Sequence, residues 1–99
     1  MGKAEASVEG YLVESCRLMG WLALKFVSPG RDKVPDRLVV PIRGAMFFVE
    51  CKAPGVKMTA TAHGRAQLRE HARMVEMGQR VYVVSSRGEV DALLAGGRA

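Results

Sequence analysis

The stretch RLVVPIRGAMFFVECK, residues 37–52, decides the fold. It divides into two strand-like runs, Arg37–Ile42 and Met46–Lys52, both rich in β-branched or aromatic residues and separated by Arg43, Gly44 and Ala45. Two such runs so close together predict an antiparallel hairpin. Pro41 lacks the N–H that a ladder bond needs, which places it at an edge or a non-bonded position.

Three ionisable residues stand where strand burial alone would not put them: Asp36 at the start of the first run, then Glu50 and Lys52 late in the second. Alternation places Glu50 and Lys52 on one face and Cys51 on the other. A three-residue loop sets Ile42 opposite Met46, so that Asp36 lies opposite Lys52 and diagonal to Glu50 on that same face. An even-numbered loop without a bulge would send Asp36 to the opposite face.

In the odd register, two carboxylates approach across about 7 to 8 Å of backbone, a span that a hard cation with oxygen ligands can bridge. Mg2+ is the natural candidate. It would polarise a phosphoryl oxygen, and the Lys52 ammonium could position a water or stabilise developing negative charge. The chemistry implied is phosphodiester hydrolysis. The competing reading is a cross-strand salt-bridge cluster on a solvated sheet face. Phe47, Phe48 and Val49 argue against it, because a charged cluster beside large apolar residues and under a helix is costly.

Outward from the hairpin, apolar residues recur at helical spacing from about Ala4 to Met19 (Val8, Tyr11 or Leu12, Ser15, Leu18 or Met19), and Gly20 suits a helix end. Trp21–Val27 reads as a strand closed by Ser28, Pro29 and Gly30, followed by the polar loop Arg31, Asp32 and Lys33. Ala53, Pro54 and Gly55 break the strand that carries Glu50. Val56–Thr61 is a polar connection, and a helix runs from about His63 to Met77, with Leu68, Ala72 and Val75 on one side and Gly78 at its end. Arg80–Ser85 is a strand, and Glu89–Ala95 is a short final helix ended by Gly96 and Gly97. The order α-β-β-β-α-β-α describes one α/β domain over residues 1–99, a mixed sheet flanked by helices.

Ninety-nine residues, 48% of them hydrophobic, fit one domain and no second. So short a chain buries only about 60 to 65% of its unfolded surface, which makes dimerisation an expectation from size alone. Cys16 and Cys51 are too few for a disulfide framework and have no paired metal-ligand spacing, so a reducing cytoplasm suits them. The N-terminus carries no apolar signal region, and every apolar stretch is interrupted well short of the ~20 residues that span a bilayer, so neither secretion nor membrane insertion is expected. Fifteen Lys and Arg against ten Asp and Glu leave a charge of +5, which attracts polyanions; nucleic acid is the obvious partner, a merely solubilising charge the alternative.

Val34, Pro35 and Asp36, followed by FVECKAP at 48–54, resemble the signature of the PD-(D/E)xK nucleases. More narrowly, ECKAPG at 50–55, a downstream helix bearing Gln67 and then a strand resemble the viral-type replication-repair nuclease (VRR-NUC) family, especially its stand-alone phage members. The resemblance covers nearly the whole chain and implies the restriction-endonuclease-like fold. By position it implies that Asp36 and Glu50 bind a divalent metal together with the backbone carbonyl of Cys51, Mg2+ with Mn2+ able to substitute. Lys52 would assist the attacking water, Gln67 would support the site, and Glu9 matches an acidic residue that can reach the metal. Val34 departs from the glycine many members carry there, and the short chain leaves little room for a separate DNA-recognition element.

Arg31, Lys33 and Arg37 cluster beside Asp36, and Lys57, Arg65 and Arg69 follow the Glu50 strand. Together they are expected to form a DNA track that contacts backbone rather than bases. His63 and His71 lie in no metal-binding motif and are assigned no ligand role. Cys51 and Cys16 are expected to pack inside, and Met74 and Met77 to serve a core or a dimer interface. The resemblance further implies a homodimer with two sites, suited to symmetric cuts in four-way junctions, in the cytoplasm of a bacterial host if the chain is phage-encoded. The alternatives are a nuclease that nicks flaps or other branched DNA, and a nucleic-acid-binding module that cuts nothing.

Overall fold

A computed structural model describes residues 2–97. The elements run α1 (Lys3–Leu18), β1 (Leu22–Lys25), β2 (Arg37–Val40), β3 (Phe47–Cys51), a 3-10 turn (Met58–Ala60), α2 (Ala62–Glu76), β4 (Val81–Val84) and α3 (Arg87–Gly97). The sheet order is β1-β2-β3-β4; β1 and β3 both pair antiparallel with β2, and β4 pairs parallel with β3. That parallel pair requires a crossover, which α2 supplies. The expected element order therefore holds. The edge strand β1 is shorter than expected, and α3 begins at Arg87 and continues through Gly96. Among the described residues no helix is long and apolar enough to cross a membrane.

The hairpin keeps its expected parity but not its register. Arg37 pairs with Val49, Leu38 with Phe48 and Val39 with Phe47. This register is offset by two residues from the one that sets Ile42 opposite Met46. Carried one step further, it puts Asp36 beside Glu50 and leaves Lys52 diagonal. Pro41 gives the physical reason: with no N–H to donate, it ends β2 at Val40, and the turn widens to residues 41–46 with Gly44 at φ 103. An offset of two restores every side chain to its face, so the carboxylates still converge.

The core lies on one side of the sheet. Val8, Leu12 and Cys16, four residues apart on α1, pack with Val90 and Leu94 of α3 against Val39, Phe47, Val49, Cys51 and Val84. Each such fully buried Val or Leu stabilises the fold by about 1.5 to 3 kcal/mol. Both cysteines are free and buried there, as expected. Alternation turns Phe48 and Glu50 to the other side, where Phe48 meets Phe26 with ring centroids 5.2 Å apart.

α2 covers that other side with a polar face. Gly64, Gln67, Glu70 and His71 are its buried residues, whereas Ala72 and Val75, expected inside, are exposed and Leu68 is only half-buried. The expectation fails because the helix meets a carboxylate rather than the apolar core, and a buried carboxylate requires polar partners. Gly20 and Gly78 end their helices in the left-handed region, as expected; the N–H of Gln79 reaches back to Met74 to close α2.

Candidate active site

Asp36 directly precedes β2, Glu50 lies near the end of β3, and Lys52 follows it. The backbone N–H of Cys51 donates to Asp36 Oδ2 at 2.9 Å, which ties the end of one strand to the start of the other. Glu50 is only 1% exposed. Gln67 Nε2 donates to its Oε2 at 3.2 Å, and the Lys52 ammonium lies 3.5 Å from the same oxygen. Gln67 reaches the strand because α2 starts close in. A Cβ on Gly64 would lie 2.1 Å from the Met58 carbonyl oxygen, so only glycine permits this approach of helix and 3-10 turn. Thr61 caps the helix, its side-chain oxygen accepting from the Gly64 N–H at 2.9 Å.

The electrostatics are those of two crowded acids. Burial pushes the Asp36 carboxyl up to about 6; the Cys51 N–H opposes this, and the charge of Glu50 and a hydrogen bond with it raise it further. A cation between the two would relieve that repulsion. Glu50 Oε1 and Gln67 Oε1 are buried oxygens with no hydrogen-bond partner, so the donor set is hard oxygen with unused acceptor capacity. Such a set fits Mg2+ or Mn2+. Among the described residues no three His, Cys, Asp or Glu side chains are grouped to hold a metal, so two carboxylates would need backbone or water oxygens to complete the shell. The Cys51 thiol, pushed up to about 12 by burial first and then by the charge of Asp36, stays protonated and is no ligand.

Glu9 lies near this group, its charge helping to raise the Asp36 and Cys51 groups, but its hydrogen bonds go elsewhere. Its carboxylate accepts from Arg37 Nε at 2.7 Å and from Lys25 Nζ at 3.0 Å, and these two cations outweigh burial to hold its pKa below the usual value. Glu5, one turn earlier on α1, also approaches the site, 3.9 Å from the Lys52 ammonium. Arg37 leaves the expected DNA track for the same reason: it is committed to Glu9 and to the Ala23 carbonyl. Arg31 is held by Glu70 through two hydrogen bonds, and Lys33 lies 3.2 Å from Asp32. Lys57, Arg65 and Arg69 are exposed along the 3-10 turn and α2.

His71, assigned no role from the sequence, is buried with its Nε2 3.7 Å from Glu50 Oε1. The usable signal was its spacing: four residues after Gln67, it shares that residue's helix face. Met74 is half-buried and Met77 is 74% exposed; both line an apolar hollow with Phe26 and Val34, outside the main core.

No family model matches the chain. It is 52% identical over 83 residues to "Putative nuclease p44" of Acyrthosiphon pisum secondary endosymbiont phage 1, a match covering 84% of each chain. A solved structure described as a VRR_NUC domain superposes with a TM-score of 0.79 at 37% identity, over 95% of this chain and 97% of that one.

Proposed function

The chain belongs to the VRR-NUC family of nucleases, and on that footing we propose that it is a Mg2+-dependent, structure-selective DNA endonuclease that acts as a homodimer and resolves four-way junctions. The observation that carries this reading is the convergence of Asp36 and Glu50 at the open end of the β2–β3 pair, with the Lys52 ammonium 3.5 Å from Glu50 and two buried oxygens still seeking a partner.

When bound, the divalent cation supplies Lewis acidity to the scissile phosphate. Asp36 and Glu50, with the Cys51 carbonyl, would hold it. The Cys51 N–H fixes the Asp36 carboxylate, and Gln67 fixes Oε2 of Glu50. Lys52 orients the attacking water and offsets negative charge as the water oxygen bonds to phosphorus and a P–O ester bond breaks. Glu5 and Glu50 flank that ammonium and direct it. Exposed Lys57, Arg65 and Arg69 supply phosphate contacts without reading bases.

Dimerisation is supported by the apolar surface that one chain leaves open. Leu22 is 55% and Leu24 46% exposed on the edge strand β1, and Met77 projects from α2 on the same side of the sheet. A second copy could cover these exposed apolar side chains, and two copies would set paired sites at a fixed spacing.

The test compares an immobile four-way junction, a flap and a linear duplex, each with Mg2+ or Mn2+. Paired cuts on opposite strands of the junction are expected. Single nicks on flaps alone would replace junction resolution by branched-DNA nicking. Binding with no cleavage under either metal would leave a non-catalytic module.

A further inference from the structure

Glu50 has two oxygens in different situations. Oε2 is met by Gln67 and Lys52, whereas Oε1 is buried with no hydrogen-bond partner. The nearest polar atom given for it is His71 Nε2, at 3.7 Å, itself buried and unpartnered. His71 is 6% exposed and sits one turn beyond Gln67 on α2. Two complementary atoms, each lacking a partner and each cut off from water, face one another across a gap less than 1 Å longer than an ordinary N–H···O bond of about 2.9 Å.

We infer that His71 is a positioning residue for Glu50: the imidazole with its proton on Nε2 donates to Oε1, and with Gln67 it grips both oxygens and fixes the plane in which Glu50 meets a divalent cation. The inference rests on the reading of Asp36 and Glu50 as cation ligands and adds the group that orients one of them. His71 is not itself a ligand, since no three-residue metal group exists among the described residues. Hydrogen bonds to ligating carboxylates and imidazoles set how well a site is preorganised, and their loss lowers metal affinity about 10- to 100-fold.

The test is calorimetric titration of Mn2+ and Mg2+ into the metal-free full chain without DNA, with melting followed by circular dichroism. His71→Met, which keeps bulk and removes the donor, should weaken cation binding at least about 10-fold in the folded protein. His71→Gln, whose amide nitrogen can occupy the Nε2 position, should stay within about 3-fold of the natural chain. A packing role alone predicts the reverse: a lower melting temperature for both and unchanged affinity in whatever remains folded. Wild-type affinity in His71→Met, or equal losses in both variants, overturns the inference. If His71→Met does not fold, His71→Gln and the shorter His71→Asn decide, with binding expected only for the side chain that reaches Oε1. Cation uptake that Glu50→Gln abolishes but His71→Met leaves intact removes this inference alone; no uptake by the natural chain removes the reading of Asp36 and Glu50 as cation ligands with it.

Discussion

Replacing Asp36 with Asn should stabilise the metal-free protein and destroy its activity. Asp36 has its carboxyl raised from the ordinary 3.8 to about 6, by burial first and by Glu50 after the opposing Cys51 N–H. At about 1.4 kcal/mol for each tenfold change, that rise caps the cost of ionising Asp36 in the folded state at about 3 kcal/mol. Solvent reaching this partly buried side chain reduces it to about 2 kcal/mol. The sign follows from which state holds the proton. Below about pH 4 both states carry it, and Asp36 costs nothing. Between about pH 4 and pH 6 the unfolded chain has released its proton while the folded chain keeps it, so stability falls as pH rises. Above about pH 6 the full cost applies.

An amide at this position never ionises, its oxygen can still accept from the Cys51 N–H, and its nitrogen can donate to Glu50. Asp36→Asn should therefore melt roughly 10 °C above the natural chain near pH 8 in chelator, and the difference should vanish near pH 4. Added Mg2+ should close the gap by stabilising only the natural chain. Calorimetric melts across that pH range check this. A variant that melts lower than the natural chain near pH 8, or an offset independent of pH, would refute the account of Asp36 and Glu50 as a repelling pair.

Lys52→Ala should fold and bind junction DNA but cleave it at least about 100-fold more slowly, because the ammonium acts on developing charge rather than docking; wild-type rates in a single-turnover assay would remove its role. Gly64→Ala should destabilise by at least about 1 to 3 kcal/mol, since the new methyl collides with the Met58 carbonyl backbone, and an unchanged denaturant midpoint would contradict the close approach. Arg37→Ala should lower stability by about 1.5 to 3 kcal/mol by leaving buried Glu9 with Lys25 as its remaining cation and leave the salt dependence of DNA binding intact. Arg69→Ala should do the opposite, reducing the slope of log affinity against log salt by about 1; a slope change from Arg37→Ala would restore it to the DNA track.

The element order and the meeting of Asp36 with Glu50 were legible because both depend on patterns that sequence carries directly: strand alternation, turn residues and the parity of a hairpin. The register was legible only to within two residues, since parity survives a slip that apolar pairing energies barely distinguish. The wrong face for α2 has a different origin. Leu68, Ala72 and Val75 form a sound apolar stripe, but the helix is held down by Glu50, a partner 17 residues before Gln67 in the chain. Periodicity assumes that the inside is apolar; here the inside is the site. The same blindness hid His71 and the approach of Glu5 to Lys52, and only three-dimensional packing shows that Glu9 meets cations on β1 and β2.

One sheet divides this chain into two regions with different tasks. The greasy side, clamped by α1 and α3, answers for whether the polypeptide folds. The polar side, roofed by α2, carries the candidate site. Beyond the backbone they share few side-chain contacts, Glu5 of α1 beside Lys52 among them, so changes beneath that roof can leave the foundation in place. A lineage could retune its target by rewriting a few positions on a single helix.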